Sequence, residues 1–185
     1  YNSYSTNGTK YFNMNHSSNT NAGGWKGCDL RYDVLGSTNT NDGDATATTA
    51  TNPVANTLMA ALPSDLRAVM QPMTIYTDNT GGGSDNASYV TKTTDYLPLL
   101  AEYEIFGTRT YANSAEKNYQ AQYAYYSAGN SKVKYRHSAT SSTAWWWERS
   151  PYYSGSSYFC YVYTNGNATA NSARNSAGVA PAFRV

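Results

Sequence analysis

Three consecutive tryptophans, Trp145, Trp146 and Trp147, run directly into Glu148 and Arg149 and stop at Pro151. Successive side chains of a strand point to opposite faces, so a strand through this segment presents large aromatic area on both. One face must be buried, and the other must meet a second layer or a ligand. Glu148 and Arg149 would be costly beside so much aromatic surface if either stood alone, so each is expected to have a partner in a hydrogen-bonded network. The segment AWWWERSP (Ala144–Pro151) therefore reads as buried structure, in a chain of 185 residues that is long enough for one domain with a real core.

Elsewhere short elements alternate with long polar connections. Residues 1–24 are Asn/Ser-rich, with at most one short strand around Lys10–Met14, and core character begins at Trp25–Gly36. A polar loop over Ser37–Asn52 leads to Pro53, placed to open a helix carrying Val54, Leu58, Met59 and Leu62. Pro63 ends it before a second helix, SDLRAVM. Met73–Thr77 and Tyr89–Thr93 read as strands around a turn-rich segment, whose triple glycine Gly81–Gly83 is expected to be a flexible connector. Asp95 can cap a helix through Leu97–Ile105. Another is expected from Ser114 to Ser127, with Tyr119, Tyr123 and Tyr126 as a packing stripe. Asn165-Gly166 marks a hairpin turn, and the terminal GVAPAFRV reads as a closing strand. The fold class is α+β: short antiparallel strands, a few helices and long irregular loops.

Charged residues make up 14% of the chain, the net charge is +1, and the basic residues are scattered, which gives no footprint for nucleic acid. No run of 18 apolar residues exists, so membrane insertion is not expected, and no leader is visible. A start at Tyr1 leads us to expect the C-terminal part of a longer protein. Cys28 and Cys160 read as two buried free thiols in preference to a disulfide. His16 and His137 lie in polar loops without a nucleophile or zinc motif, and Glu102 and Glu104 are two apart on a helix and face different directions. Asp42-Gly43-Asp44 lacks the distal glutamate of a calcium loop. The expectation is no enzyme, no cofactor and no metal.

The most unusual stretch is Tyr152–Ala177, YYSGSSYFCYVYTNGNATANSARNSA. It contains no Lys, Glu, Asp, Gln or His, although a solvated hairpin normally carries several of these. Its polar positions are Tyr, Ser, Asn, Thr and one Arg, in a chain with 19 Tyr against 4 Phe. Tyr supplies rigid contact area with a polar handle, and Ser and Asn supply adaptable hydrogen bonds, which is the chemistry of a recognition surface. Tyr, Ser, Asn, Thr, Gly, Arg and Ala are also among the residues reachable from an Asn codon by changing adenines alone.

With these residues in view, the chain resembles the C-type-lectin-fold variable proteins of diversity-generating retroelements, in the group found in gut bacteria and their phages. The resemblance rests on GGWKGCDLRYDVLGS (Gly23–Ser37), ALPSDLRAVMQPMTIYTDNTGGGS (Ala61–Ser84), DYLPLLAEYEIFG (Asp95–Gly107), AQYAYYSAGNSKVKYR (Ala121–Arg136), AWWWERSP and GVAPAFRV, nearly the whole chain. It implies a single C-type-lectin-like domain over residues 1–185, with a variable ligand-binding region at about 152–177. The retroelement copies a template with errors at adenines into the gene's 3′ end. The fixed frame is then AWWWERSP, Phe159-Cys160, Val162, Gly166 and GVAPAFRV. The diversified positions are Tyr152, Tyr153, Ser154, Ser156, Ser157, Tyr158, Tyr161, Tyr163, Thr164, Asn165, Asn167, Thr169, Asn171, Ser172, Arg174 and Asn175.

The function so implied is a receptor-binding module on a phage virion, at a tail position, or an adhesin on a bacterial surface. Its partner would be a protein or glycan of a cell surface, and homo-oligomerisation stays open. The EPN- or QPD-type motif of calcium-dependent lectins is absent, so sugar binding of that kind does not carry over. Two rivals stand beside this reading. One is a structural virion or surface protein that self-associates through its Tyr-rich faces. The other is an enzyme of the formylglycine-generating type, whose fold is shared but whose reactive cysteines are close in sequence, unlike Cys28 and Cys160.

Overall fold

The computed structural model describes residues 12–137 and 139–185. Five short α-helices, α1 (Ala47–Thr51), α2 (Leu58–Ala61), α3 (Ser64–Val69), α4 (Glu102–Phe106) and α5 (Ala124–Ser127), and a π-helical turn at Leu30–Val34 combine with seven strands among these residues. The strands are β1 (Met73–Asp78), β2 (Val90–Asp95), β3 (Lys134–Arg136), β4 (Ala139–Ala144), β5 (Trp146–Pro151), β6 (Tyr158–Val162) and β7 (Ala168–Ser172). They form three small antiparallel sheets, β1-β2, β3-β4 and β5-β6-β7. The molecule is α+β.

The sheet β5-β6-β7 is the centre, and the tryptophan run explains why. Trp146 and Trp147 point to opposite faces, and both are fully buried. Trp147, Phe159 and Tyr161 face a core containing Phe12, Met14, Trp25, Leu30, Leu35 and Leu99. Trp146 and Val162 face a second cluster with Ile105 and Tyr126. Burying a side chain of this size stabilises by about 2–3 kcal/mol, so the central sheet is fixed from two sides. A third cluster, Ala45, Ala50, Met59, Met70, Tyr96 and Leu97, packs the helical end.

Buried ion pairs tie the layers together. Arg31 Nε donates to Asp95 Oδ1 at 2.6 Å with both side chains fully buried, and Arg31 also donates to the carbonyls of Lys26 and Thr94. Arg149 finds the network expected for it: it donates to both oxygens of Glu104, to Thr77 Oγ1 and to the carbonyl of Leu99. Glu148 does not. Its two oxygens are buried with no hydrogen-bond partner among the described residues.

Several expected elements are redistributed by tertiary contacts. Helix α1 begins inside the expected polar loop, where Thr46 N donates to Thr49 Oγ1, and Pro53 lies beyond its end. Asn56, at φ 63°, then breaks the chain, and Thr57 caps α2 by accepting from Ala60 N. The helix expected over Leu97–Ile105 is only Glu102–Phe106. Pro98 disfavours helix at Leu97, and the carboxylate of Asp95, expected as its cap, holds Arg31. The helix expected over Ser114–Ser127 splits into a 3₁₀ turn, Ser114–Asn118, and α5. Gln122 Nε2 and Tyr123 N donate to the carbonyls of Ile105 and Glu104, which pulls the middle of that segment onto α4. Tyr119 and Tyr123 are exposed there, and only Tyr126 is buried.

GVAPAFRV makes isolated bridges, Gly178 with Trp146 and Arg184 with Gln71, where a strand was expected; Pro181 interrupts it. Of the strand expected at Lys10–Met14, Lys10 and Tyr11 lie outside the described residues and Phe12–Met14 are bends.

Candidate ligand-binding surface

The candidate segment follows β5 as a loop at Tyr152–Ser157, strand β6, the turn at Asn165-Gly166 and edge strand β7. The hairpin is closed as expected: Tyr163 N donates to the Asn167 carbonyl, Gly166 N donates to the Tyr163 carbonyl, and Gly166 takes φ 88°. Ser154, Ser156, Tyr158, Tyr163, Asn165, Asn167, Arg174 and Asn175 are exposed. Tyr152, Tyr153, Ser157, Thr164, Thr169, Asn171 and Ser172 are half-buried. Between them Phe159, Cys160, Val162, Ala173 and Ala177 are buried. Tyr161 alone among the candidate positions is buried, at 8% exposed, with its ring 5.0 Å from Trp145 and 5.9 Å from Trp147. It belongs to the core, because it leaves β6 on the same face as Phe159.

What holds the loop is a residue that sequence reading passed over. Asn21 is fully buried, and its Nδ2 donates to the carbonyls of Tyr152, Gly155 and Tyr158 at 3.2, 2.9 and 2.8 Å. Its backbone N–H donates to the Ser156 carbonyl, and its Oδ1 accepts from Gly82 N. Tyr153 N donates to the Tyr111 carbonyl, and Ala173 N to the Ser157 carbonyl. Apart from the bond to Gly82, each of these contacts is made to a main-chain group of the candidate segment, so they fix its path without its side chains. In a run such as NTNAGG nothing about residue type singles out one asparagine.

The same geometry overturns the expectation of a flexible triple glycine. Gly81 is buried at φ 64°, a side-chain carbon there would stand 1.9 Å from the Asn21 carbonyl oxygen, and Gly81 N donates to Asp78 Oδ1. Gly83 passes close to Ser156, where added carbon would come within 2.8 Å of its nitrogen. The glycines let the β1-β2 connection approach the candidate loop.

Two aromatic groups make up much of the surface. Tyr152 meets Tyr111 and Tyr153 edge-on at 5.4 and 5.5 Å and lies parallel to Tyr158. Arg109 sits 4.0 Å above the Tyr153 ring and is held by Asp85 at 2.6 Å. At the other end Tyr163 packs edge-on against Tyr161, which leans on Trp145. Asn19 accepts from Ser172 Oγ at 2.5 Å, and Asn175 Nδ2 donates to Asn171 Oδ1. Arg109, Tyr111 and Asn19 thus border the surface from outside the segment.

Glu102, Glu104, Glu116 and Glu148 are all buried, and of these only Glu104 is hydrogen-bonded to Arg149. Glu102 accepts from the amides of Tyr111 and Ala112. Glu116 accepts from Asp78 N, Ser150 Oγ and Gln120 Nε2, and burial pushes it up to about 7. Burial, with Glu102 and Glu116 nearby, raises Glu148 well above the ordinary carboxylate range. Cys28 and Cys160 are free and buried, and burial pushes the Cys28 thiol up to about 12 and Cys160 upward as well. Such thiols are poor nucleophiles. Among the described residues no group of three or more His, Cys, Asp or Glu is placed to hold a metal ion, and no helix is long and apolar enough to cross a membrane.

Residues 8–185 match the family described as Domain of unknown function (DUF6273). The chain belongs to the DUF6273 family. No match to it is found among curated proteins or among solved structures. In this DUF6273 chain the match takes in AWWWERSP, the candidate segment and GVAPAFRV together.

Proposed function

We propose that the chain is a binding module of C-type-lectin-like fold that displays a hypervariable Tyr/Ser/Asn surface, diversified at adenines by a retroelement. The observation that carries this reading is the main-chain anchoring of the candidate segment by Asn21, Tyr111 and the glycine loop. A scaffold that must accept many sequences has to hold them by what they share, and all sequences share the backbone. The exposure of eight of the sixteen candidate positions, with seven more half-buried, supports the same reading.

In mechanism, Tyr152, Tyr153, Tyr158 and Tyr163 supply contact area at low entropic cost, Ser and Asn supply adjustable hydrogen bonds, and Arg174 offers an exposed guanidinium for a carboxylate or ring. Tyr161 serves from below, as the ring on which Tyr163 rests. The partner is a protein or glycan on a cell surface, and the carrier is a phage tail or a bacterial envelope. No catalytic step is assigned.

The experiment is a library in which Ser154, Ser156, Tyr158, Tyr163, Asn165 and Arg174 are randomised among Tyr, Ser, Asn, Thr, Gly, Arg and Ala. Most members are expected to fold with the parent's melting temperature, and selection on intact bacterial cells should enrich binders. General loss of folding would sink the proposal. So would a complete locus lacking both a reverse transcriptase and a near-copy of the 3′ end that differs only at adenines.

A further inference from the structure

A second site lies on the outer edge of β1, lined by no residue of the variable segment. In the β1-β2 ladder Asn79 N donates to the Tyr89 carbonyl, which puts Met73, Ile75 and Thr77 in the hydrogen-bonded pairs with β2. The main-chain groups of Thr74, Tyr76 and Asp78 therefore point away from β2. Most are taken. Asp78 N donates to Glu116, the Asp78 carbonyl accepts from Trp25 N, and the Tyr76 carbonyl accepts from Gln120 Nε2. Below them the Pro72 carbonyl accepts from Arg184 Nη2. Between these points the N–H and carbonyl of Thr74 and the N–H of Tyr76 have no protein partner among the described residues.

These three groups open into a cleft of about 260 Å³ lined by Met73–Tyr76. The stacked pair Tyr76–Tyr119, with rings 4.3 Å apart, and Tyr123 line it. Arg184 and the buried Arg149–Glu104 pair also line it. An unpaired edge on an exposed flat sheet invites another sheet. Here the side chains of Tyr119, Tyr123 and Arg184 line the cleft beside the edge, which suits a single extended segment. Arg149 and Glu104 cancel, which leaves the charge of Arg184, so the cleft favours an acid. The chain's own first eleven residues carry Lys10 and no Asp or Glu.

We propose that this cleft binds an extended acidic peptide of a separate polypeptide by strand addition to β1. The peptide exchanges two hydrogen bonds with Thr74 and accepts a third from Tyr76 N–H, and its carboxylate pairs with Arg184.

The test uses the full chain, isotope-labelled for NMR, and the probe peptide acetyl-Thr-Val-Asp-Val-Thr-amide. In the free protein the amides of Thr74 and Tyr76 should exchange with solvent faster than those of Ile75 and Thr77, which lie in the ladder. The peptide should slow exchange at Thr74 and Tyr76. Arg184→Ala should weaken its binding roughly tenfold, as loss of a charge-assisted bond does. A version N-methylated at the central residue should bind at least as poorly. Slow exchange at both amides in the free protein, whether constant or rising with protein concentration, overturns the proposal, since the edge is then already covered. Absence of shifts at Thr74 and Tyr76 with peptide at about 1 mM, or equal binding by the counterpart with Lys for Asp, overturns it too.

Discussion

Arg149 and Glu104 are joined by two parallel hydrogen bonds, Nη1 to Oε2 at 2.6 Å and Nη2 to Oε1 at 2.7 Å, with the arginine otherwise sealed beneath the central sheet. The pair links β5 to α4, and Glu104 Oε2 also accepts from Ala101 N at the start of that helix. Removing one partner leaves the other buried and uncompensated. Arg149→Met or Glu104→Ala is therefore expected to lower unfolding free energy by about 3–5 kcal/mol, measured by urea denaturation, while the double replacement costs less than the sum.

The other glutamates make stability fall with rising pH. Glu116 has an ordinary value of 4.5 in the unfolded chain and about 7 in the folded one. Below 4.5 both states hold the proton, and between the two values the unfolded chain releases it first. Stability should drop across that window by on the order of 3 kcal/mol and level off above it. Glu102 and Glu148, both raised chiefly by burial, add in the same direction. Melting temperature followed from pH 4.5 to 8 checks this. Glu148→Met, which removes the unpartnered carboxyl, should raise stability at pH 8 by on the order of 1–3 kcal/mol and flatten the profile.

Two neighbouring tyrosines should behave oppositely. Tyr161→Ala opens a hole against Trp145 and Trp147 and is expected to cost about 3–5 kcal/mol. Tyr163, 46% exposed, should tolerate alanine within about 0.5 kcal/mol while losing affinity for any selected ligand. Equal losses of stability from the two would show that both rings are core.

Asn21→Ala removes three donations into the loop at Tyr152–Tyr158 and one acceptor for Gly82. A loss of about 3 kcal/mol or more is expected from several unsatisfied buried groups, with faster amide exchange across residues 152–158 as the specific sign. Adjacent glycines separate the same way. Gly81→Ala should be severely destabilising, whereas Gly82→Ala, with open space around it, should cost only about 1 kcal/mol for its φ of 79°.

Alternation and composition carried most of what could be read in advance. Burial of the tryptophan run, a turn at Asn165-Gly166 and strands at Met73–Thr77 and Tyr89–Thr93 were legible from local stereochemistry; the structure has strands at Met73–Asp78 and Val90–Asp95 and pairs them. The candidate surface was legible because its missing Lys and Glu are a property of the sequence alone. The fate of the segments Leu97–Ile105 and Ser114–Ser127 was not, since Arg31 claims Asp95 and α4 claims Tyr123 through contacts distant in the chain.

By itself the amino-acid sequence determined the α+β class, the buried tryptophan strand and the stretch of residues suited to recognition, because periodicity, turn chemistry and composition act between near neighbours. Tertiary structure alone decided that Tyr161 turns inward, that Glu148 has no hydrogen-bond partner among the described residues, and that Asn21 and the glycine loop hold the candidate segment by its backbone. Those outcomes depend on which buried polar group meets which across the whole chain, and hydrogen bonding between residues more than a hundred positions apart leaves no mark on the local sequence.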